Sequence, residues 1–201
     1  MKKKLTVISN ERFSKKGNNF FCDNIAETLP DDLEKNFDVK IICRYASSDR
    51  AHQLKVSNIK RSKNFLSYAA DIFNSVKIKK STYLALSISP YTFLGILLLY
   101  FLKQKTIVYL RSDGYEEYKS ILGFLGPPIY HFMFSIAVKI SHLISCREHI
   151  LRGRKGDIVQ PSQLSRKWLS NHKPPQIDKI KLLYVCSVYI MSSYSVYILF
   201  S

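Results

Sequence analysis

The sequence predicts an α/β domain built on a parallel β-sheet with helices on both faces. Short apolar segments such as Leu5–Ile8 and Thr106–Leu110 are typical of parallel strands that are buried on both sides. Longer segments with apolar residues at helical spacing lie between them, and strands that alternate with helices form right-handed βαβ units. The chain has 201 residues, of which 46% are hydrophobic, so it can form one domain with a buried core plus a further fragment.

The first eighty residues predict three strands and two helices. The strands are Lys4–Ser9, Asp38–Arg44 and Leu54–Ile59. After the first strand, Asn10–Asn18 is predicted to be a polar loop that contains Gly17. A helix is predicted over Asn19–Glu34 and another over Asn64–Lys77, because their apolar residues recur at helical spacing.

The second part of the chain continues the alternation of strands and helices. The predicted strands are Thr82–Ser87, Thr106–Leu110, His142–Ser145 and Asp157–Gln160. The predicted helices are Pro90–Lys103, Leu122–Ile140 and Ser165–Asn171. Pro90 suits the first position of its helix, where the missing N–H costs nothing.

The C-terminal part of the sequence indicates an incomplete second domain. Residues 1–172 are predicted to form the α/β domain, and residues 173–185 a linker followed by the first strand of another sheet, Lys181–Val185. Residues 186–201 contain no charge, no glycine and no proline. We interpret them as an aberrant tail, since a lone opening strand has no partner and its apolar side chains would be exposed.

The charge of the chain indicates an anionic partner. Lys and Arg number 31 against 15 Asp and Glu, which gives a formal net charge of +16. Nucleic acid, a membrane surface and phosphorylated ligands remain open as partners, as does a simply solvated basic surface. No nucleic-acid-binding motif is present, and the aromatic residues fall mainly at core spacings.

No cofactor or metal site is predicted. The four cysteines are scattered without a C-x-x-C motif, which favours reduced thiols in a cytoplasmic protein. Neither G-x-G-x-x-G nor a P-loop occurs. Tyr91–Leu102 is very apolar but shorter than the roughly 20 residues that cross a bilayer, so a buried or surface-inserted helix is expected there. Leu182–Ser201 is long enough, but serines dilute it.

Candidate binding residues follow the predicted strands, because ligands of open parallel sheets bind beyond the carboxyl ends of the strands. Gly17 and Asn18 precede a predicted helix, whose free N–H groups could hold a phosphate; a glycine needed only for the turn is the alternative. Arg111 and Asp113 directly follow a strand, where an arginine could clamp a phosphate or carboxylate and an aspartate could accept a hydrogen bond or act as a base. Alternatively, Asp113 starts a turn and Arg111 pairs with Glu116 or Glu117.

The cysteines and histidines give a weaker indication of a functional site. Cys146 and His149 could form a nucleophile pair, but no third group that would orient them is evident, and structural roles are expected. His131 and His142 lie in apolar contexts and are expected to be core or helix-face residues, and no His, Asp or Glu cluster has the spacing of metal ligands.

Four segments, in this order and spacing, resemble the N-terminal half of a family 4 glycosyltransferase with the two-domain GT-B fold. They are the first strand with its glycine-containing loop, Val108–Gly114, Ile158–Ser162 and the Lys181–Val185 strand. The resemblance covers residues 2–185 and implies a Rossmann-like N-terminal domain. The family's next residues, Gly-Arg and then Glu-Lys-Gly, are replaced here from Cys186 onward.

The resemblance implies transfer of a sugar from a nucleotide-sugar donor to a sugar or lipid-linked acceptor, without a required metal. Gly17 and Asn18 would then contact the donor phosphates, although the family often has Gly-Gly there. Acceptor or substrate binding is assigned to four residues, Ser89, Arg111, Asp113 and Glu117. No catalytic residue is assigned, because serines stand where many members carry a histidine.

The family's donor-binding glutamates lie in the missing C-terminal half, so this chain is predicted to be inactive alone. Expected roles are cell-surface polysaccharide or glycolipid synthesis in the cytoplasm, with peripheral contact to an anionic inner membrane face. The alternatives are a non-catalytic acceptor- or nucleotide-binding module that works with a separate partner, and a basic nucleic-acid-binding domain.

Overall fold

The computed structural model describes residues 2–23, 33–54, 56–77 and 81–159. All of them belong to one compact unit that spans Met1–Gln163. This part of the chain is an α/β domain with a mixed sheet of mostly parallel strands. The predicted helix Ser165–Asn171, the linker and strand of residues 173–185 and the tail of residues 186–201 lie outside the described residues.

The described residues form nine strands and four α-helices. The strands are β1 (Lys3–Lys16), β2 (Asn19–Cys22), β3 (Phe37–Tyr45), β4 (His52–Leu54), β5 (Ile59–Ser62), β6 (Thr82–Leu86), β7 (Thr106–Leu110), β8 (His142–Ser145) and β9 (Asp157–Ile158). The helices are α1 (Phe65–Lys77), α2 (Pro90–Phe101), α3 (Gly114–Leu122) and α4 (Gly126–Ile140). Two 3-10 turns lie at Gly123–Leu125 and Glu148–Leu151.

Strand β1 lies in the middle of the sheet. It pairs in parallel with β3 on one side and with β6 on the other. The sheet continues through β5 beyond β3, and through β7, β8 and β9 beyond β6, all in parallel. The chain therefore builds the sheet outward in two directions from β1 and β6. The far end of β1 also pairs with β2, and β2 with β4, both antiparallel.

The two faces of the sheet are buried against different elements. Successive side chains of a strand point to opposite faces. Ile8 and Ala85 face a cluster that contains residues of α1, α2 and α4. Their neighbours Val7 and Leu84 face a second cluster, which includes Phe13 of β1 and residues of β2 and β4. The four helices described above pack against the first face, and helical cover of the other face stays a prediction.

Most of the predicted elements are confirmed. Strands β7 and β8 have the predicted bounds, and β3, β6, α1, α2 and α4 differ from theirs by a few residues at the ends. Pro90 occupies the start of α2 as expected. Strand β9 begins at the predicted Asp157.

The prediction for the segment after the first strand is wrong. Asn10–Asn18 is not a loop, because β1 continues through Lys16 and only Gly17 and Asn18 form the turn. Asn19–Cys22 is strand β2 rather than the start of a helix. The two strands form a hairpin in which Lys16 pairs with Asn19. The rest of the predicted helix lies mostly outside the described residues.

Two further predictions needed correction. The predicted strand Leu54–Ile59 is split into β4 and β5, with residues 56–58 outside any strand. Helix α3 was not predicted at all, since its polar first turn, from Gly114 to Glu117, indicated a turn. Asp113 does start that segment, but as the N-cap of a helix: its Oδ1 accepts a hydrogen bond from the N–H of Tyr115 at 3.0 Å.

Candidate functional site

The candidate site starts from an irregularity in β1. Ile8 pairs with Ile42 and Arg12 pairs with Arg44, so three residues, 9–11, stand opposite Cys43 alone. Bulges of this kind redirect side chains and are common beside binding sites. This one lies in the middle of β1, beside the carboxyl end of β6, where Ser9 pairs with Leu86. The strand order reverses direction here, and ligands of open α/β sheets bind at such reversal points.

Hydrogen bonds fix the backbone of the bulge. The N–H of Glu11 donates to Oγ of Ser9 at 3.1 Å, and the hydroxyl of Tyr68 donates to the carbonyl of Ser9 at 3.3 Å. Tyr68 is fully buried, and this burial raises the pKa of its hydroxyl. The group therefore stays protonated and remains a donor at neutral pH.

The bulge turns Glu11 toward Arg111, which follows the carboxyl end of β7. Their side chains form an ion pair, with Oε1 of Glu11 2.8 Å from Nη2 of Arg111. Both side chains are little more than one-fifth exposed, so water screens this pair less than a fully exposed one. The thiol of Cys146, at the end of β8, donates to the carbonyl of Arg111 at 3.0 Å.

The preceding residue, Asn10, points toward β3. Its Oδ1 accepts a hydrogen bond from Arg44 at 3.2 Å. The guanidinium of Arg44 also lies 4.4 Å from the ring centre of Tyr91, a favourable cation–π distance. The Tyr91 ring in turn stacks on Phe65 at 4.0 Å. The site therefore has an aromatic wall beside its polar groups.

Helix α2 starts with a capped first turn. Ser89 is its N-cap, and a reciprocal capping box joins Ser89 with Thr92. The Thr92 hydroxyl also donates to the carbonyl of Ser87 at 2.9 Å. Ser87 has a φ of 61°, a left-handed conformation that costs a serine energy and that is often found at functional sites.

A second polar cluster lies further along the same edge. Asp113 forms an ion pair with Arg152 at 2.7 Å, and the guanidinium of Arg152 lies 4.9 Å from the ring centre of Tyr115. The Tyr115 hydroxyl is hydrogen-bonded to Nδ1 of His131 at 2.8 Å. Burial is the main cause that raises the pKa of Tyr115, while Arg152 opposes it.

The structure separates the residues that the sequence grouped together. Arg111 and Asp113 form ion pairs with different partners, and neither partner is Glu116 or Glu117. Ser89 is occupied in capping α2. Glu117 is exposed on α3, one turn beyond Asp113.

Gly17 and Asn18 lie away from this cluster. They form the exposed turn of the β1–β2 hairpin, where Gly17 has a φ of 59° that favours glycine. Six residues of extended chain, roughly 20 Å, separate Gly17 from Glu11. No helix follows the turn directly, so the physical reason for a phosphate site there is removed. A donor-phosphate role for these two residues stays a prediction.

Sequence reasoning missed the residues at the centre of the site. Asn10, Glu11, Arg44 and Tyr91 were not singled out, although the first three lie in segments expected at the carboxyl ends of strands. The available signal was their position as the first long polar residues after an apolar strand. Their pairing across the sheet depends on the bulge, which the sequence does not indicate.

Cys146 and His149, considered above as a nucleophile pair, are not hydrogen-bonded to each other in the structure. The Cys146 thiol is bonded to the Arg111 carbonyl, and His149 is an exposed residue of the 3-10 turn after β8. Within the described residues, no group of three or more His, Cys, Asp or Glu side chains could hold a metal ion.

Comparison of the chain with protein-family models, curated proteins and solved structures found no match.

Proposed function

We propose that the chain is the N-terminal, acceptor-side half of a nucleotide-sugar-dependent glycosyltransferase with the GT-B fold. The observation that carries this proposal is the set formed by Asn10, Glu11, Arg44, Tyr91 and Arg111 at the reversal point of the sheet. A carboxylate and an amide oxygen accept hydrogen bonds from hydroxyl groups, and guanidinium groups donate to hydroxyl or phosphate oxygens. The Tyr91 ring, stacked on Phe65, orients the Arg44 guanidinium through the cation–π contact.

The sheet supports the proposal at the level of the fold. Parallel strands that spread in two directions from β1 and β6 are compatible with the Rossmann-like domain that the sequence resemblance implies. In that family the acceptor is bound by the N-terminal half and the donor mainly by the C-terminal half. The acceptor would be a sugar or a lipid-linked sugar used in cell-surface polysaccharide or glycolipid synthesis.

The Glu11 carboxylate has the capacity to bind both Arg111 and a ligand. Oε1 of Glu11 pairs with Arg111, and each carboxylate oxygen can accept two hydrogen bonds. Pairing with Arg111 holds the carboxylate in one orientation before a ligand arrives, which lowers the entropy lost on binding. Glu11→Gln removes the charge but keeps the shape, so it tests the carboxylate itself.

The first experiment measures binding of simple glycosides to the purified chain. Saturation-transfer NMR with the methyl glycosides of glucose, galactose, mannose and N-acetylglucosamine is expected to detect at least one ligand. Glu11→Gln and Arg111→Lys should each weaken its affinity about tenfold, as the loss of one charge-assisted hydrogen bond does. Glu116→Gln, which removes an exposed carboxylate from α3, is the matched control and should leave the affinity unchanged.

Two outcomes would count against the proposal. If no glycoside binds, or if the affinity is the same in Glu11→Gln, Arg111→Lys and the control, the site does not bind an acceptor sugar. The proposal also expects no sugar transfer from UDP-glucose, UDP-galactose or GDP-mannose by this chain alone. Transfer by the purified chain would show that the chain is not half of an enzyme.

A further inference from the structure

Helices α3 and α4 form an antiparallel hairpin. The segment Gly114–Ile140 is long and apolar enough to cross a membrane by length and composition. However, the ring centres of Tyr115 and Phe134 are only 5.8 Å apart, whereas 19 residues of straight helix would separate them by about 28 Å. The fold-back occurs at the 3-10 turn Gly123–Leu125. In this structure the segment is therefore not a straight span.

The tip of the hairpin exposes a continuous group of large apolar side chains. Phe124 is 85% exposed and Ile121 is 73% exposed. The other members of the group, which we call the hairpin tip, are Leu122 and Leu125. Ile129 and Phe132 are exposed further along α4, toward the base of the hairpin. Scattered exposed apolar residues are normal, but a contiguous patch marks a binding surface.

The hairpin tip projects beyond the carboxyl edge of the sheet. Helix α3 starts just after the carboxyl end of β7, and its Gly114 lies against Tyr130 of α4. Tyr118 lies one turn further out, against Gly126. Helix α4 then runs back toward the start of β8 at the opposite edge. The tip and the cluster around Glu11 are thus on the same edge of the molecule.

Basic residues border the hairpin tip. Lys119 is the only Lys, Arg, Asp or Glu between Tyr118 and Val138. Lys119 and Arg152 line a common depression with Tyr115, Glu116 and Pro127, and Arg154 is close enough to act electrostatically on Tyr115. The chain carries a net charge of +16. Apolar side chains next to cations complement a bilayer that contains anionic lipids.

We infer that the hairpin tip is a membrane-docking surface that inserts its apolar side chains into one leaflet of an anionic bilayer. Aromatic and aliphatic residues at the tip would enter the interface, and Lys119 and Arg154 would contact lipid phosphates. Docking in this way would turn the carboxyl edge of the sheet, with the candidate site, toward the membrane surface. The inference does not depend on the proposed sugar transfer.

Vesicle flotation of the full chain tests this inference. We expect the chain to float with vesicles that contain phosphatidylglycerol, and to float much less with pure phosphatidylcholine or at high salt. The double variant Phe124→Ser/Leu125→Ser should reduce the bound fraction about tenfold, since both side chains are exposed and act through apolar insertion. Lys119→Gln should weaken binding mainly at low salt.

The control variant is Phe101→Ser. Phe101 is 74% exposed, but it ends α2 at the opposite edge of the sheet. Its change should leave flotation unaltered, and circular dichroism should show that all variants keep the native fold. Equal flotation of the double variant, the control and the original chain would overturn the inference. So would a tip that only mediates self-association, seen as a loss of dimer in the double variant without any loss of vesicle binding.

Discussion

Among single residues, Gly114 has a strict steric requirement. A Cβ atom at this position would overlap the ring of Tyr130, and Tyr130 is itself buried at 2% exposure. Gly114→Ala is therefore expected to destabilise the protein by about 3 kcal/mol through overpacking of a rigid aromatic side chain. Urea unfolding of the two proteins measures the difference.

Gly17→Ala is the comparison for that measurement. Its Cβ would meet no atom within 4 Å, although its φ of 59° is unfavourable for alanine. We expect a loss of about 1 kcal/mol from the backbone alone. If Gly114→Ala proves no more destabilising than Gly17→Ala, the close contact between α3 and α4 is incorrect.

The ion pair of Arg111 shows what a local sequence pattern cannot predict. Arg111 was predicted to matter because it directly follows an apolar strand, and it does lie at the candidate site. Its partner, Glu11, is separated from it by 100 residues, and no local pattern indicates which carboxylate an arginine will reach. Glu116 and Glu117 were the near choices along the chain, but α3 carries them away from Arg111.

Among the elements, helix α2 depends most clearly on its first turn. Ser89 and Thr92 satisfy each other's backbone N–H groups in a capping box, and both are buried. Ser89→Ala should lower the free energy of unfolding by about 1 kcal/mol, because a buried N–H of the helix loses its acceptor. Thermal or urea unfolding gives the value.

Ser120→Ala is the matched control for Ser89→Ala. Ser120 is exposed near the end of α3, and its hydroxyl bonds only within its own helix, to the carbonyl of Glu117. Its removal should change the stability by less than about 0.5 kcal/mol. Equal effects of the two substitutions would contradict a capping role for Ser89.

The elements also differ in how readily the sequence predicts them. Helices α1, α2 and α4 have long apolar faces, and they were predicted with nearly correct bounds. The β1–β2 hairpin was missed because two adjacent phenylalanines resembled the start of a helix. The signal that was overlooked is the pair Gly17-Asn18, a two-residue turn typical of hairpins. Helix α3 was missed because tertiary contacts with α4 stabilise a segment whose first turn is polar.

For the molecule as a whole, buried tyrosines contribute to a loss of stability at high pH. Burial raises the pKa of both Tyr68 and Tyr130 above the ordinary value of 10.0. The unfolded chain therefore loses these protons first as the pH rises, so their contribution is complete below about pH 10 and is lost above it. Each should cost about 1.4 kcal/mol between pH 8 and pH 11.

Replacement by phenylalanine isolates this effect. Tyr68→Phe and Tyr130→Phe are expected to make the loss of stability between pH 8 and pH 11 smaller than in the original chain. Tyr100→Phe, at an exposed position, should leave the pH dependence unchanged. An identical alkaline slope in all four proteins would show that Tyr68 and Tyr130 ionise as easily in the folded state as in the unfolded one.

For the whole domain, the sequence predicted the fold class but not the order of the strands in the sheet. Alternation of strands and helices indicated an α/β domain with a parallel sheet. The α/β class is confirmed, but the sheet is mixed, because β1–β2 and β2–β4 pair antiparallel. The alternation did not indicate that β1 lies between β3 and β6, since the order of strands is decided by long-range packing. The bulge that assembles the candidate site is a product of that same arrangement.

The central position of β1 has a consequence for how the chain folds during synthesis. Of the strands described here, β1 leaves the ribosome before the others, but β6, one of its two parallel partners, begins only at Thr82. Nascent domains whose contacts join distant parts of the chain fold slowly and remain exposed to aggregation until the last partner emerges. The side of β1 that faces β6 therefore stays unpaired until β6 has been translated, and it stays open to aggregation for that time.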